Sequence, residues 1–231
     1  MKKVRVVQCW DDGVFTDVRL IEILKKHKAK ATFNLCSSFI TDESVREKWK
    51  TAEPGGEPLP IDTFTGGRVG KDQLLEIYSG FEVASHCDLH ENAKTTDPQK
   101  FLASAVKCRN FLEDFFQKEC RGFAWPYGTY TAETVKLLNE AKFAYGRTTE
   151  YTDDVLAYSN PLQLASTCHF KNRQFWQKYQ QAKATTGVFY FWGHSYEMAD
   201  IAPYWDNFDK MIAYISNDPE AEWANVIDLV K

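Results

Sequence analysis

Asp11 and Asp12 stand side by side in Trp10-Asp11-Asp12-Gly13, directly after a β-rich apolar run. Two adjacent carboxylates repel each other unless a cation or a hydrogen-bond donor compensates them. Asp-Asp-Gly by itself is also a common turn, so the pair gains meaning only from what accompanies it. That company is Ser85-His86-Cys87-Asp88-Leu89-His90, which places two histidines four residues apart in a chain that has only five. On a helical turn this spacing turns both imidazoles to one face, within reach of one ion. With Asp12 as a third ligand from a neighbouring strand end, two nitrogens and a carboxylate oxygen leave one position open for water, as in catalytic zinc sites. A divalent cation so held lowers the pKa of its water and polarises a carbonyl.

Two further segments fall just past strands: Arg121-Gly-Phe-Ala-Trp-Pro-Tyr-Gly128 and Phe191-Trp192-Gly193-His194. Hydrolysis of an amide needs a base to activate water and an acid to protonate the leaving nitrogen. Asp11 and His194 are the titratable groups left over at strand ends. A thiol nucleophile at Cys87 with a histidine is an alternative chemistry, but it leaves both aspartates unexplained. Glu197 and Asp200 follow His194 and fit either a sugar hydroxyl or a solvated loop, while Tyr196, Trp205 and Phe208 read as packing aromatics.

These residues need a frame that brings strand ends together. The chain alternates a strand at 3–9, a helix at 17–28, a strand at 30–36, a helix at 72–79 stopped by Gly80, and a strand at 81–85. A long amphipathic helix follows at 97–117, then a strand at 121–125, a helix at 131–142, strands near 143–148 and 187–192, and helices at 205–216 and 219–229. Such alternation yields parallel strands, in a barrel or an open doubly wound sheet, with the active site at their carboxyl ends. A Pro- and Gly-rich insertion spans about 42–70, most marked from 51 onward, and reads as a surface loop or as a lid over the site.

Bulk properties narrow the partners. At 231 residues, 44% apolar and 26% charged, the chain suits one α/β domain spanning 1–231. A net charge of −4 without a basic stripe argues against nucleic acid. No stretch approaches the ~18 apolar residues of a membrane helix, and the N-terminus carries no signal-peptide pattern, so a cytoplasmic location is expected. The six cysteines are far apart, without a Cys-x-x-Cys pair, and are expected to be reduced thiols.

Asp11-Asp12-Gly13, His86-x-x-x-His90, Pro126-Tyr127-Gly128 and Gly193-His194, in this order along nearly the whole chain, resemble the motifs of the polysaccharide deacetylases, the NodB-homology domain of carbohydrate esterase family four. The resemblance implies a distorted (β/α) barrel of about seven parallel strands. It also implies one divalent metal on Asp12, His86 and His90, with zinc the first expectation and cobalt or nickel the alternatives. By the same resemblance Asp11 is the general base, His194 the acid, and the Tyr127 backbone N–H an oxyanion donor, with Trp125, Pro126 and Trp192 lining the substrate groove. The implied reaction removes acetyl from an N-acetylated amino sugar or polysaccharide. A deformylase or small-amide hydrolase with the same site is one alternative, and an inactive carbohydrate-binding relative is another. Three positions depart from the pattern: Trp10 replaces the usual Phe, Cys87 replaces Ser or Thr, and Ala124 stands where an Arg commonly orients the base. Arg121 and Arg147 are the candidates to replace that Arg, and the fourth family motif, an Asp and Trp cluster, has no clear counterpart in 150–180.

Overall fold

In the first strand, β1 (Val4–Asp11), side chains alternate between two destinations. Val7 and Cys9 join an interior cluster with Ala84, Tyr145 and Tyr190, while Val6 and Trp10 join the cluster that faces the helices. This period of two carries Asp11 inward, in line with Val7 and Cys9. The computed structural model describes residues 3–48, 64–185 and 187–230.

After β1 come α1 (Asp17–Lys26), β2 (Thr32–Leu35), a short antiparallel pair β3 (Val45–Arg46) and β4 (Gly67–Arg68), α2 (Lys71–Tyr78) and β5 (Glu82–Ser85). Then follow α3 (Pro98–Phe116), β6 (Gly122–Ala124), α4 (Ala132–Glu140), β7 (Tyr145–Tyr151), β8 (Leu164–Ser166), β9 (Cys168–His169), α5 (Phe175–Ala184), β10 (Val188–Gly193), α6 (Ala202–Asn217) and β11 (Ala221–Ala224). Local sequence explains the longest helix. Phe101, Ala105, Cys108 and Leu112 recur on its buried face, Pro98 occupies its first turn, and the Asp97 side chain accepts from the Gln99 and Lys100 N–H groups.

The main sheet runs β8-β7-β6-β5-β2-β1-β10-β9, with every pairing parallel. Its two ends meet in one extended segment. β8 pairs with β7, β9 pairs with β10, and only Thr167 separates them, donating its N–H to the Tyr190 carbonyl at 2.7 Å. Residues 164–169 thus nearly close a distorted parallel barrel, as expected from the sequence, and helices cover its outside. One expected helix is different: within 219–229 the chain forms β11, parallel to Val4–Val7 of β1, and then a 3-10 turn at Val226–Leu229. Val226 and Leu229 plug the amino-terminal end of the barrel. Trp223 and Ala224 extend along β1 because the open lower half of that strand offers backbone partners that an isolated short helix would lack.

The six cysteines are all free and buried. No helix among the described residues is long and apolar enough to cross a membrane. Of the 42–70 insertion, residues 49–63 lie outside the described residues; its two flanks are β3 and β4.

Candidate metal centre and active site

Asp11, Asp12, His86, His90 and His194 collect at the carboxyl ends of the strands. Asp12 follows the end of β1 at φ +82°, and its backbone is held on both sides. Its N–H donates to the Asn34 carbonyl at 3.0 Å, and its carbonyl accepts from Arg68 Nη1 at 2.7 Å. His86 follows β5 and is buried; His90 is half-buried four residues on. The segment joining them is an irregular loop and not the helical turn inferred from the spacing. Cys87 and His90 adopt positive φ, which folds the loop back on itself. Asp88 at the loop's centre fixes that shape: its carboxylate accepts from Ser37 and Lys107, each at 2.6 Å, and its N–H reaches Ser104 at 2.8 Å. Asp12, Cys87, His90 and Tyr127 are four of the eight non-glycine residues with positive φ among those described, so unusual backbone is concentrated here.

The loop brings the His86 and His90 rings to 4.7 Å between centroids. Asp12 Oδ1 lies 3.7 Å from Nε2 of each. Ligands ~2.0–2.2 Å from a tetrahedral ion lie ~3.3–3.6 Å from each other, so the three groups fit a single ion with only slight contraction. His86 Nδ1 lies 2.8 Å from the Ala124 carbonyl, a hydrogen bond that leaves Nε2 with its lone pair toward Asp12. Burial pushes the His86 pKa down to about 4, against the pull of Asp11, so the ring is neutral and able to ligate at neutral pH.

Asp11 points into the barrel and is almost completely buried. Asn34 Nδ2 donates to its Oδ1 at 2.7 Å, and Arg147 Nη2 closes on Oδ2. Burial alone would raise the Asp11 pKa, but the Arg147 guanidinium, with His86 and His194 nearby, holds the carboxyl well below the usual range. Arg147 is therefore the cation that Ala124 does not supply. It comes from β7 at the position paired with Ala124, and its guanidinium lies over the Trp192 ring at 4.9 Å. Arg121 takes no part; it is exposed at the start of β6, at the other end of the barrel.

His194 follows β10, with Nε2 3.8 Å from Asp11 Oδ2 and 3.9 Å from Asp12 Oδ2. Its Nδ1 is bonded to Glu197 Oε1 at 2.8 Å, and the same oxygen lies 3.2 Å from His169 Nε2. Lys171 approaches the other Glu197 oxygen at 3.3 Å. Burial lowers the His194 pKa, but the Glu197 hydrogen bond and the charges of Asp11 and Asp12 outweigh it and raise the value. The shift is toward the imidazolium form, and the Glu197 bond turns Nε2 toward the two aspartates. From sequence alone Glu197 reads equally as a sugar-hydroxyl ligand or a solvated loop residue. Its spacing of three residues from His194, inside a 3-10 turn at Ser195–Met198, is the signal that could have identified it.

The expected groove residues separate. Trp192 is half-buried beside His194, with ring centroids 5.6 Å apart. Tyr127 is 62% exposed and meets the His90 ring edge-on at 4.5 Å. Pro126 is buried and starts the turn that sets Tyr127 at φ +58°. Trp125 is a correction: it is fully buried, stacks on Phe101 at 5.6 Å and donates Nε1–H to the Leu162 carbonyl at 2.7 Å. It alternates away from the barrel mouth and belongs to the helix-facing core. Trp10 likewise packs outward, against Phe170 and Phe208, and leaves the site's width unaltered. Cys87 is a buried thiol whose pKa burial pushes well up, unlike a thiolate nucleophile.

Comparison with known proteins identifies the family and the fold. The family model for polysaccharide deacetylases matches residues 1–146, and the chain belongs to that family. The match includes Asp11, Asp12, the histidine pair and Pro126-Tyr127-Gly128, and it ends just before Arg147. No curated protein matches the sequence significantly. Among solved structures, the chain is similar to a CE4-family pseudoenzyme from Bacillus anthracis, at TM-score 0.58 and 19% identity over 98% of this chain and 65% of that one. It is also similar to the peptidoglycan deacetylase PdaC of Bacillus subtilis, at 0.58 and 15% over 98% and 90%. A family 4 acetyl xylan esterase from Clostridium thermocellum, solved with cobalt, aligns at 0.57 and 13% over 97% and 90%. The chain spans about two thirds of the length of the Bacillus anthracis relative. At these identities the likeness is one of fold.

Proposed function

We propose that this chain is a divalent-metal-dependent N-deacetylase that hydrolyses the acetamide of an acylated amino sugar to a free amine and acetate. The observation that carries the proposal is the convergence of Asp12, His86 and His90, their ligand atoms within 4.8 Å of one another, with Asp11 and His194 beside them. Asp12, His86 and His90 would hold the ion, which when bound polarises the amide carbonyl and acidifies water. Zinc fits the nitrogen-rich set best, with cobalt or nickel as alternatives.

The protein's own groups supply the proton traffic. Asp11, kept ionised by Arg147 and oriented by Asn34, takes a proton from the attacking water. The backbone N–H of Tyr127 donates to the oxyanion that develops on the former carbonyl, a contact of a kind worth ~3 kcal/mol. His194, its imidazolium stabilised by Glu197, gives its proton to the departing nitrogen. Trp192 flanks the acid and offers an apolar wall to the substrate. A binding module would have no use for the complete set of ligands, base and acid, which argues against an inactive relative.

Acetate release from a panel of N-acetylated sugars, monomer to oligomer, tests this reading in metal-loaded and chelator-stripped protein. Metal-dependent release is expected. No release from any sugar despite one bound metal per chain would favour a deformylase or small-amide hydrolase, and no bound metal would overturn the site.

A further inference from the structure

A cleft of about 890 Å³ opens next to the acid side of the site, between the segment that follows β9, the start of α5, and α6. Its size lies within the range of small-molecule sites. Glu197 joins the two regions, since it lines the cleft and also bonds His194. Phe170, at the cleft's inner wall, packs on Trp10 and fills the space that a side chain at Gly193 would occupy, so this wall is continuous with the end of β10.

Cations outnumber acids in the cleft. Lys171, Arg173 and Lys210 line it, and Glu197 is the single lining acid. Glu197 is already engaged by His169, Lys171 and His194. Arg173 and Lys210 are exposed and make no ion pair among the described residues. This concentration of uncompensated cations occurs in a chain with net charge −4. Aromatic rings accompany it: Trp176, Tyr204 and Tyr214 are 43%, 46% and 54% exposed, with Trp176 and Tyr214 packed edge-to-face at 4.8 Å. Sugar rings stack on such surfaces, and an arginine fork with a nearby ammonium suits a carboxylate or a phosphate.

We propose that this cleft is a subsite for an anionic portion of the glycan substrate, binding a ring that carries a carboxylate or phosphate while the acetamide of a neighbouring residue reaches Asp12. The proposal rests on the deacetylase reading above, and it makes the enzyme selective for acidic over neutral acetylated glycans.

The test is binding to the full-length, metal-stripped protein, followed by tryptophan fluorescence and calorimetry so that no turnover is needed. Three tetrasaccharides serve as probes: neutral N-acetylhexosamine, N-acetylhexosamine alternating with uronic acid, and the neutral oligomer carrying one phosphate. At least one acidic probe is expected to bind roughly tenfold more tightly than the neutral one at low salt, and the tighter of the two identifies the acid recognised. The preference should shrink at high salt and disappear in the Arg173→Ala/Lys210→Ala double variant, whose exposed positions leave the fold intact. Equal binding of all three probes, or a preference unchanged by the double variant, overturns the proposal. Acetate release by metal-loaded enzyme is measured separately: its absence alongside an Arg173- and Lys210-dependent preference counts against the deacetylase chemistry and not against the cleft.

Discussion

Arg147 lies opposite Ala124 in the parallel register of β6 and β7, and from there its guanidinium closes on the carboxylate of Asp11. A cation has moved one strand sideways while still reaching the same acid. Both partners are nearly inaccessible to water, so neither tolerates the loss of the other. Arg147→Met is expected to destabilise the fold by about 3–5 kcal/mol in denaturant titration and to abolish acetate release. Adding Asp11→Asn should restore most of that stability and none of the activity. Stability unchanged in the single variant would show that the pair is not coupled.

The lateral shift also predicts a rescue. In the Arg147→Ala background, Ala124→Arg places the guanidinium on the adjacent strand, and partial recovery of kcat over Arg147→Ala is expected. Steady-state kinetics of the two variants make the comparison, with no difference between them as the contrary result.

Glu197 should set the alkaline limit of activity. The acid role proposed for His194 requires its protonated form, and Glu197 is the main group that extends that form to higher pH. Glu197→Gln is expected to move the alkaline limb of the kcat/KM profile toward lower pH. The acidic limb gives no parallel shift, because Asp11 is held ionised by Arg147 and not by Glu197.

Asp17 gives a pH dependence of stability. It is fully buried, its pKa is pushed up to about 7 by burial, and Ser195 and Tyr78 bonds only partly oppose this. Its folded pKa lies above the unfolded value, so the native state holds the proton more tightly and stability contributed at low pH is lost as pH rises toward 7. Asp17→Asn should flatten that slope and leave the variant more stable than the parent at pH 8 by ~1–3 kcal/mol, as read by urea unfolding of the metal-free proteins.

Metal binding is expected to raise Tm, since only the folded chain assembles Asp12, His86 and His90. At about a hundredfold excess over Kd the gain is about 2.7 kcal/mol. His86→Ala should remove the zinc-induced shift, and a shift that survives would place the ion elsewhere.

Much of this site was legible because Asp11, Asp12, His86, His90 and His194 each follow a strand with a clear period or an apolar run, and strand ends converge in a parallel barrel. The histidine loop was misread as helical because i, i+4 spacing is the usual way to bring two side chains together, whereas here Asp88 and positive φ do it. Arg147 could not be chosen over Arg121 without the β6–β7 register, which no local pattern encodes. β8 and β9, at three residues and two, are too short for any period to show, and the 219–229 segment reads as helical because the strand character of β11 comes from its pairing with β1. Trp125 reached the core through alternation that a three-residue strand is too short to reveal.

The antiparallel pair of β3 and β4 has a bearing on how Asp12 is held. Gly67 lies so close to Val45 that a Cβ would come within 1.9 Å of its carbonyl oxygen, Thr65 is tied to Glu47 at 2.6 Å, and Arg68 grips the Asp12 carbonyl. The described flanks of the 42–70 insertion are thus clamped to each other and to the residues after β1. Arg68 ties the near end of β4 to the residue whose side chain meets both histidines, so a change at this neck is felt first in the placement of Asp12.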